Sequence, residues 1–273
     1  MIIEEILQSV EEDLQKRTVE DIRIGLGYTA VKLHDGACGL AATMRDEISS
    51  CCTVHERAGD LSNQRAHSLA KLALSTDILE SALGIATINA ILSSRDIRTQ
   101  GQGGDILENL AISKSDSVGM VGYFEPLIRP IQERCKKLYI FERRPSAFGG
   151  AVGSDPSHLT EASKIYPDWA VDLLLPKCSV VIISGTTVLN KTIDHLLDLC
   201  QDRVAIVGPT TPLSTIFAGY GVSFLFGSRV IDADRVLKII SEGGGTRAFG
   251  SAVLKVTVGL KGAKKCKISR RRG

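Results

Sequence analysis

One stretch in the middle of the chain constrains the fold most: a continuous apolar run, Ser179 to Ile183, followed directly by Ser184-Gly185-Thr186-Thr187. Short runs rich in β-branched residues are typical of strands buried on both faces of a parallel sheet. After the loop, apolar residues recur at helical spacing from Val188 to Cys200. We therefore predict a strand, a tight polar loop and a helix, with the loop at the carboxyl edge of the sheet, where α/β proteins bind ligands.

The side chains of this loop predict a binding site for an anionic or carbonyl oxygen. Ser184, Thr186 and Thr187 supply hydroxyl groups at a predicted helix N-terminus, where free N–H groups and the helix dipole favour negative charge. Gly185 would let a ligand approach the backbone, and Asn190 would add an amide donor one turn later. The alternative is that the hydroxyl groups only cap the helix.

The N-terminal third of the chain predicts an α+β unit. An amphipathic helix is expected over residues 4–17, followed by three antiparallel strands with a hairpin turn at Asp35-Gly36. Two further helices are expected over residues 61–74 and 77–93, and the second is apolar on all sides, as buried helices are. Its Asn89 needs a hydrogen-bond partner, either another core group or a ligand.

The pattern changes after a polar, glycine-rich linker over residues 98–104. Strands and helices alternate over residues 105–260, which predicts a parallel sheet flanked by helices. The last segment, residues 261–273, contains seven Lys or Arg residues and no acidic residue. It predicts a solvated basic tail, with nucleic-acid binding as the alternative.

Four polar loops follow four predicted strands of this sheet, and all four should line one crevice at its carboxyl edge. The residues predicted to bind a cofactor are Gly122, Tyr123, Phe124, Glu142, Ser184, Gly185, Thr186, Thr187, Asn190, Gly208, Pro209 and Thr210. Any parallel sheet has such loops, so their convergence locates a site without specifying a reaction.

The first two loops are best compared with a dinucleotide-binding motif. The glycine fingerprint is absent, because Tyr123 and Phe124 stand where small residues would admit a pyrophosphate. Glu142, however, ends the second strand at the position where a ribose-binding acid is expected. A ribosyl ligand without pyrophosphate, such as S-adenosylmethionine, therefore fits better than NAD. The alternative is that Glu142 only pairs with Arg143 or Arg144.

Three residues are candidates for catalysis. Glu142 could act as a base, His158 as a general acid or base, and Lys32 would supply positive charge if it faces the crevice. His195 is expected at the surface. Metal ligands stay unidentified, because the chain has no Cys-x-x-Cys pair and the segment from Cys51 to Glu56 cannot complete a tetrahedral site alone.

The composition indicates a cytoplasmic globular protein, with 44% hydrophobic and 23% charged residues. No apolar run reaches the length of a membrane span, and the N-terminus lacks a signal-peptide pattern. The seven cysteines are scattered and odd in number, which indicates reduced thiols instead of a disulfide framework.

Seven segments together resemble the heavy-metal chelation family, a family without an established reaction. The resemblance implies an enolase-N-terminal-like α+β domain over residues 1–98, joined to a Rossmann-like, doubly wound parallel sheet over residues 105–260. It also implies a site between the domains, partial likeness to Rossmann-like methyltransferases, and a part in making or handling chelators such as pterins, flavins or siderophores. The segments begin at Gly25, Gly84, Val121, Glu142, Ser184, Gly208 and Gly243.

The leading hypothesis is an enzyme that acts at the interdomain cleft on a small anionic or heterocyclic molecule, by condensation or hydrolysis. The cofactor is unidentified: an adenosyl or nucleotide-like ligand and a metal ion both fit the pattern. The rival hypothesis is a non-catalytic protein that binds a heavy metal or metal chelate, or a ligand like S-adenosylmethionine. An NAD-dependent dehydrogenase is disfavoured by the missing fingerprint. No membrane partner is expected, and homo-oligomer formation is left open.

Overall fold

The computed structural model describes residues 1–48, 54–95, 104–143 and 163–260. These residues form a mixed α/β fold with a small antiparallel sheet and a large, mainly parallel sheet. The predicted linker up to residue 103, residues 144–162 and the basic tail lie outside the described residues, as do Cys51 and Cys52.

The small sheet consists of β1 (Val19–Ile24), β2 (Tyr28–Leu33) and β3 (Cys38–Ala42), in that order and all antiparallel. The turn between β2 and β3 has Gly36 at φ 86°, a conformation that favours glycine. The predicted three-stranded meander is therefore confirmed.

The helices of the N-terminal part, residues 1–95, are α1 (Ile2–Ser9), α2 (Glu11–Gln15), α3 (Ala66–Ala70) and α4 (Ile78–Ser94). The single helix expected over residues 4–17 is wrong, because the chain leaves helical geometry at Val10 (φ −112°, ψ 2°). The helix expected over 61–74 is also too long. Its first residues instead bond to the chain around β1: Val19 N–H donates to Gln64 O, and Ala66 N–H donates to Arg17 O.

Helix α4 is buried almost all round, as its apolar pattern predicted. It contacts strands of both sheets. Asp77 caps it by accepting hydrogen bonds from the N–H groups of Leu79 and Glu80, both at 2.9 Å. A Cβ at Gly39 would lie 2.1 Å from Ala86 O, so only glycine lets β3 approach this helix. No helix in the described part of the chain is long and apolar enough to cross a membrane.

The large sheet has the strand order β6-β5-β4-β7-β8-β9-β10. β4 to β9 are mutually parallel, as expected, whereas β10 pairs antiparallel with β9. β6 was not predicted. The strands are β4 (Ser117–Val121), β5 (Lys137–Glu142), β6 (Ser163–Pro167), β7 (Val180–Ser184), β8 (Arg203–Val207), β9 (Val222–Val230) and β10 (Val253–Gly259).

The described residues of the C-terminal part, 104–143 and 163–260, contain six helices that accompany this sheet. They are α5 (Ile106–Asn109), α6 (Glu125–Gln132), α7 (Val171–Leu174), α8 (Ile193–Leu199), α9 (Ala233–Ser241) and α10 (Thr246–Phe249). One apolar core joins α1 and α4 to one face of the sheet, and a second core covers the opposite face. Helix α9 packs on the small sheet through a third apolar cluster. The two parts are thus held together by buried apolar surface.

The order of the large sheet reverses between β4 and β7. β5 and β6 extend the sheet on one side of β4, and β7, β8 and β9 extend it on the other. The loops that leave β4 and β7 therefore diverge to opposite sides, which opens a crevice at the carboxyl edge. β7, which contains the central apolar run, borders that crevice.

Asp116 directly precedes β4, at the amino edge of the parallel strands, and is 4% exposed. Its carboxylate accepts hydrogen bonds from Ser113, from Ser179 and from Arg203, and Arg203 also donates to Leu110 O. Burial alone would raise the pKa of Asp116, but these hydrogen bonds outweigh it and lower the pKa to about 2.

Candidate functional site

A cavity of about 340 Å³ lies at the carboxyl edge of the large sheet, where the strand order reverses. Residues that end β4, β5 and β7 line it, and Met44 and Glu47, which follow β3, close one side. Six residues of the predicted set line it: Gly122, Glu142, Ser184, Thr186, Thr187 and Asn190. Tyr123, Phe124, Gly185, Gly208, Pro209 and Thr210 are outside this lining, as is Lys32.

The loop after β7 does not enter a helix directly. Residues Gly185–Val188 form a 3₁₀ turn, and α8 begins only at Ile193. The predicted helix N-terminus at Ser184 is therefore wrong. The physical reason is the conformation of Lys191, whose φ of 63° interrupts any helix. The positive end of a helix dipole is not available to this loop, and that part of the argument for an anion fails.

The hydroxyl groups of the loop bond to one another and to its backbone. Ser184 Oγ accepts a hydrogen bond from Thr186 N–H at 3.3 Å and lies 2.8 Å from Thr186 Oγ1. Thr187 Oγ1 donates to Ser184 O at 2.7 Å. Ser184 thus caps the 3₁₀ turn, while its neighbours fix the shape of the cavity wall.

Asn190 and Lys191 hold the next part of the loop. Asn190 Oδ1 accepts from Thr192 N–H and from Thr192 Oγ1, at 3.2 and 2.7 Å. Lys191 Nζ donates to Ser81 Oγ on α4 and to Leu189 O. Burial lowers the pKa of Lys191 to about 8. The sequence argument passed over this lysine, because its surroundings come from a helix more than 100 residues earlier.

Gly185 packs against the loop after β8. A Cβ atom there would lie 2.6 Å from Thr211 Oγ1. Gly185 therefore permits close packing of two loops, whereas the sequence argument expected it to admit a ligand.

The loop after β8 binds the N-terminal part. Thr210 Oγ1 accepts from Ala42 N–H at 2.9 Å, and Thr210 O accepts from Asn89 Nδ2 at 3.1 Å. Asn89 Nδ2 also donates to Leu40 O at 2.8 Å. The Nδ2 group of Asn89 thus joins β3 to the loop after β8. Its partners are core backbone groups, which is one of the two alternatives that the sequence left open.

Lys32 forms ion pairs away from the cavity. Its Nζ lies 2.8 Å from Glu20 Oε1 and 2.9 Å from Asp234 Oδ1. The hydrogen bonds to Glu20 and Asp234 raise the pKa of Lys32. Lys32 therefore does not face the crevice. Its ammonium group instead joins β2 to Glu20 on β1 and to Asp234 on α9.

Tyr123 and Phe124 pack against the second apolar core, on the face of the sheet that α6 covers. Both therefore have a packing role beside the lining residue Gly122. His158 lies outside the described residues, so its predicted role stays a prediction.

Glu142, at the end of β5, is half-buried on the cavity wall. Its Oε1 accepts a hydrogen bond from Arg143 N–H at 2.9 Å. The guanidinium of Arg143 reaches Glu47 Oε2 at 2.6 Å and Asp168 Oδ2 at 3.4 Å. Arg143 therefore ties the N-terminal part to the end of β6, across the mouth of the cavity.

The cavity wall is acidic. Its described residues include one arginine, Arg143, and four carboxylates: Glu47, Glu142, Asp168 and Asp172. His195 adds a second basic group, with Nε2 3.0 Å from Asp172 Oδ1. With His195 neutral, these groups sum to a formal charge of about −3. These carboxylates disfavour an anion close to them, and the anionic ligand expected from the sequence stays a prediction.

The sequence argument missed the residues that follow β6. Asp168, Trp169 and Asp172 line the cavity because β6 is a further parallel strand that ends at the same edge. β6 is an edge strand of the sheet and has only two apolar side chains before its proline. The signal was the pair Ile165-Tyr166, residue types typical of strands, shortly before the acidic Asp168. His195 is exposed, as expected, and also lines the cavity.

The described residues contain no group of three His, Cys, Asp or Glu side chains that could hold a metal ion. The carboxylates of the cavity are spread along its wall, and the nearest basic groups pair with them. The side chains seen here do not fit a directly bound metal ion.

Comparisons with known proteins agree over most of the chain. Two family models, both described as "Putative heavy-metal chelation", match residues 7–92 and 105–259. An uncharacterised protein of Methanocaldococcus jannaschii is 31% identical over 275 aligned positions, which cover 94% of this chain and 98% of the relative.

Two crystal structures of proteins of unknown function share the fold. The protein from Desulfitobacterium hafniense has a TM-score of 0.75 and 23% identity, over 93% of this chain and 98% of its own. The protein from Pyrococcus horikoshii has the same TM-score and identity, over 95% of this chain and 100% of its own. Both are named as members of the family whose model matches residues 105–259. This chain belongs to the family described as putative heavy-metal chelation.

Proposed function

We propose that the cavity binds a small organic molecule with a ribosyl group, of the adenosyl type. The proposal treats residues 105–260 as a Rossmann-like domain and residues 1–98 as an enolase-N-terminal-like domain. The strand order β6-β5-β4-β7-β8-β9 supports the first assignment, because it corresponds to the order 3-2-1-4-5-6 of doubly wound nucleotide-binding sheets.

The position of Glu142 carries the proposal. In doubly wound sheets, a carboxylate at the end of the strand after the first one binds the ribose hydroxyl groups. Glu142 ends β5, which follows β4, and it lines the cavity at the reversal of strand order. The packing of Tyr123 and Phe124 beside Gly122 leaves no glycine-rich turn for a pyrophosphate, which favours S-adenosylmethionine over NAD.

The family description adds the handling of a metal-chelating molecule. Because the described side chains do not fit a directly bound metal ion, a metal would reach this cavity already held by its chelator. A non-catalytic protein for such a chelate is therefore the second candidate. Condensation or hydrolysis, and a cytoplasmic location, remain predictions.

Titration calorimetry tests the ribosyl site with S-adenosylmethionine, S-adenosylhomocysteine and NAD. We expect an adenosyl ligand to bind and NAD to bind less tightly. Glu142→Gln should weaken adenosyl binding about 10- to 150-fold, the range for losing a hydrogen bond to a charged group. The matched control is Glu133→Gln, which removes an exposed carboxylate at the end of α6.

Two results would contradict the proposal. One is the absence of binding by all three ligands. The other is an affinity that Glu142→Gln leaves unchanged while the variant melts like the wild type.

A further inference from the structure

The rim of the cavity carries Trp169, the one tryptophan of the chain. Its side chain is 69% exposed, which is unusual for so large an apolar surface. It follows β6 directly and is held by its backbone, because Trp169 N–H donates to Asp168 Oδ1 at 2.9 Å. An exposed indole at a cavity mouth is available to a ligand.

Carboxylates flank this indole. Asp168 precedes it, and Asp172 lies one turn further along the same segment, and both line the cavity. The face of an indole attracts cations through its quadrupole, and a nearby carboxylate adds to this attraction. An indole that shares a cavity wall with two carboxylates therefore has the chemistry that recognises organic cations.

Among the described lining residues, the basic groups do not balance the carboxylates beside the indole. Arg143, the one arginine among the described lining residues, is shared between Glu47 and Asp168, so this trio keeps one negative charge. Asp172 is paired with His195, and the pair is neutral only when the histidine is protonated. A cleft lined by one sign of charge concentrates ions of the opposite sign.

We infer that the cavity selects a ligand with a cationic organic group, such as a sulfonium or ammonium, which Trp169 and the carboxylates beside it hold at the rim. A bare metal ion is a poorer match, because indole is not a metal ligand and the described acids form no chelating group. The inference takes the cavity of the proposed function as its site and adds the charge of the ligand. It does not require the ligand to be an adenosyl compound.

The single tryptophan permits a test without any ligand. Quenching of its fluorescence by caesium, iodide and acrylamide reports the accessibility of the indole to a cation, an anion and a neutral molecule. Each quenching constant is divided by that of N-acetyltryptophanamide at the same ionic strength. We expect the normalised constant for caesium to exceed that for iodide severalfold.

Asp168→Asn with Asp172→Asn should bring the two normalised constants together, since asparagine keeps the size and an acceptor oxygen of each side chain. The control pair Glu108→Gln and Glu133→Gln removes the same charge from exposed helix positions outside the lining. It should leave the ratio unchanged. A wild-type ratio at or below one, or a ratio that the control pair lowers as much, would overturn the inference.

A second test uses two ligands that differ at one atom. S-adenosylmethionine carries a methylated, positive sulfur, whereas S-adenosylhomocysteine has a neutral one. We expect calorimetry to show tighter binding of the cation by about 2- to 30-fold, and Trp169→Leu to remove most of that preference. Equal affinities, or a preference that survives Trp169→Leu, would contradict the inference.

The two tests separate this inference from the proposed function. If neither adenosyl ligand binds but caesium quenches preferentially, the ribosyl proposal fails and the cationic selectivity stands. If both ligands bind through Glu142 but iodide quenches as well as caesium, the selectivity fails and the ribosyl site stands.

Discussion

Gly185 tests whether packing between two loops shapes the wall of the cavity. In Gly185→Ala, the new Cβ would lie 2.6 Å from Thr211 Oγ1, 2.7 Å from Thr211 N and 3.0 Å from Thr211 Cα. Two of these atoms belong to the backbone, and Thr211 is 2% exposed, so the contact cannot be relieved by turning one side chain. Over-packing of this kind costs about 1–3 kcal/mol. We expect Gly185→Ala to lower the free energy of unfolding by about 2 kcal/mol.

Urea unfolding, followed by circular dichroism, measures this loss. The matched control is Gly219→Ala, because a Cβ at Gly219 would meet nothing within 4 Å. The control should be as stable as the wild type or slightly more stable, because alanine restricts the unfolded chain. The slope of free energy against urea should stay the same in both variants.

The result that would refute this reasoning is a Gly185→Ala protein as stable as the Gly219→Ala control. If that stable variant also lost ligand affinity, Gly185 would serve the approach of a ligand, as the sequence suggested.

Three further variants test the other parts of the account. Lys191 has a pKa of about 8 in the folded chain, against 10.5 for a free lysine, so the unfolded chain binds more protons in the pH window between these values. The wild type should therefore become more stable as the pH rises through this window, and Lys191→Met should remove that rise. Urea titrations across the window measure it, with exposed Lys177→Met as the control, and an unchanged slope would contradict the burial of Lys191. Asp116 has a pKa of about 2 in the folded chain, against 3.8 for a free carboxyl, so its ionised form stabilises the wild type above this pH range and the stabilisation is lost as the pH falls through it. Asp116→Asn should therefore lose less stability than the wild type at acid pH. Thermal melts between these pH values test this, and a wild type without an acid slope would contradict it. Thr186→Val should lower adenosyl affinity while stability falls by no more than about 1 kcal/mol, whereas a loss of stability with normal affinity would make the hydroxyl a structural cap only.

Local patterns in the sequence predicted much of the fold. The apolar run at Val180–Ser184 became a strand of the large sheet next to the reversal of strand order, and the all-apolar helix α4 became buried. Both predictions depend on periodicity and burial, which neighbouring residues encode. The hairpin turn at Asp35-Gly36 likewise depends on local conformation, because its glycine adopts a positive φ.

The errors arose where distant residues decide local structure. The helix after β7 begins late because Lys191 turns back to bond Ser81 on α4. The first helix breaks at Val10, which places Ile6 and Leu14 in the same core. No local pattern records either contact, so periodicity alone extends both helices too far.

The candidate site was predicted in part for the same reason. Glu142 and Ser184 end strands, and the edge where strands end follows from the parallel pattern. Glu47 reaches the cavity from the segment after β3, and Trp169 comes after β6, whose two apolar side chains give only a weak strand pattern. The carboxylates of the wall come from a strand end, Glu142, and from the segments after β3 and β6, so no single local pattern predicts them together.

A crystal structure of the chain with saturating S-adenosylmethionine tests the central claim most directly. The account predicts ligand density in the cavity between β4 and β7, with the ribose hydroxyl groups within hydrogen-bond distance of Glu142 and the sulfonium beside Trp169. An empty cavity at saturating ligand, or a ligand bound elsewhere on the chain, would contradict it.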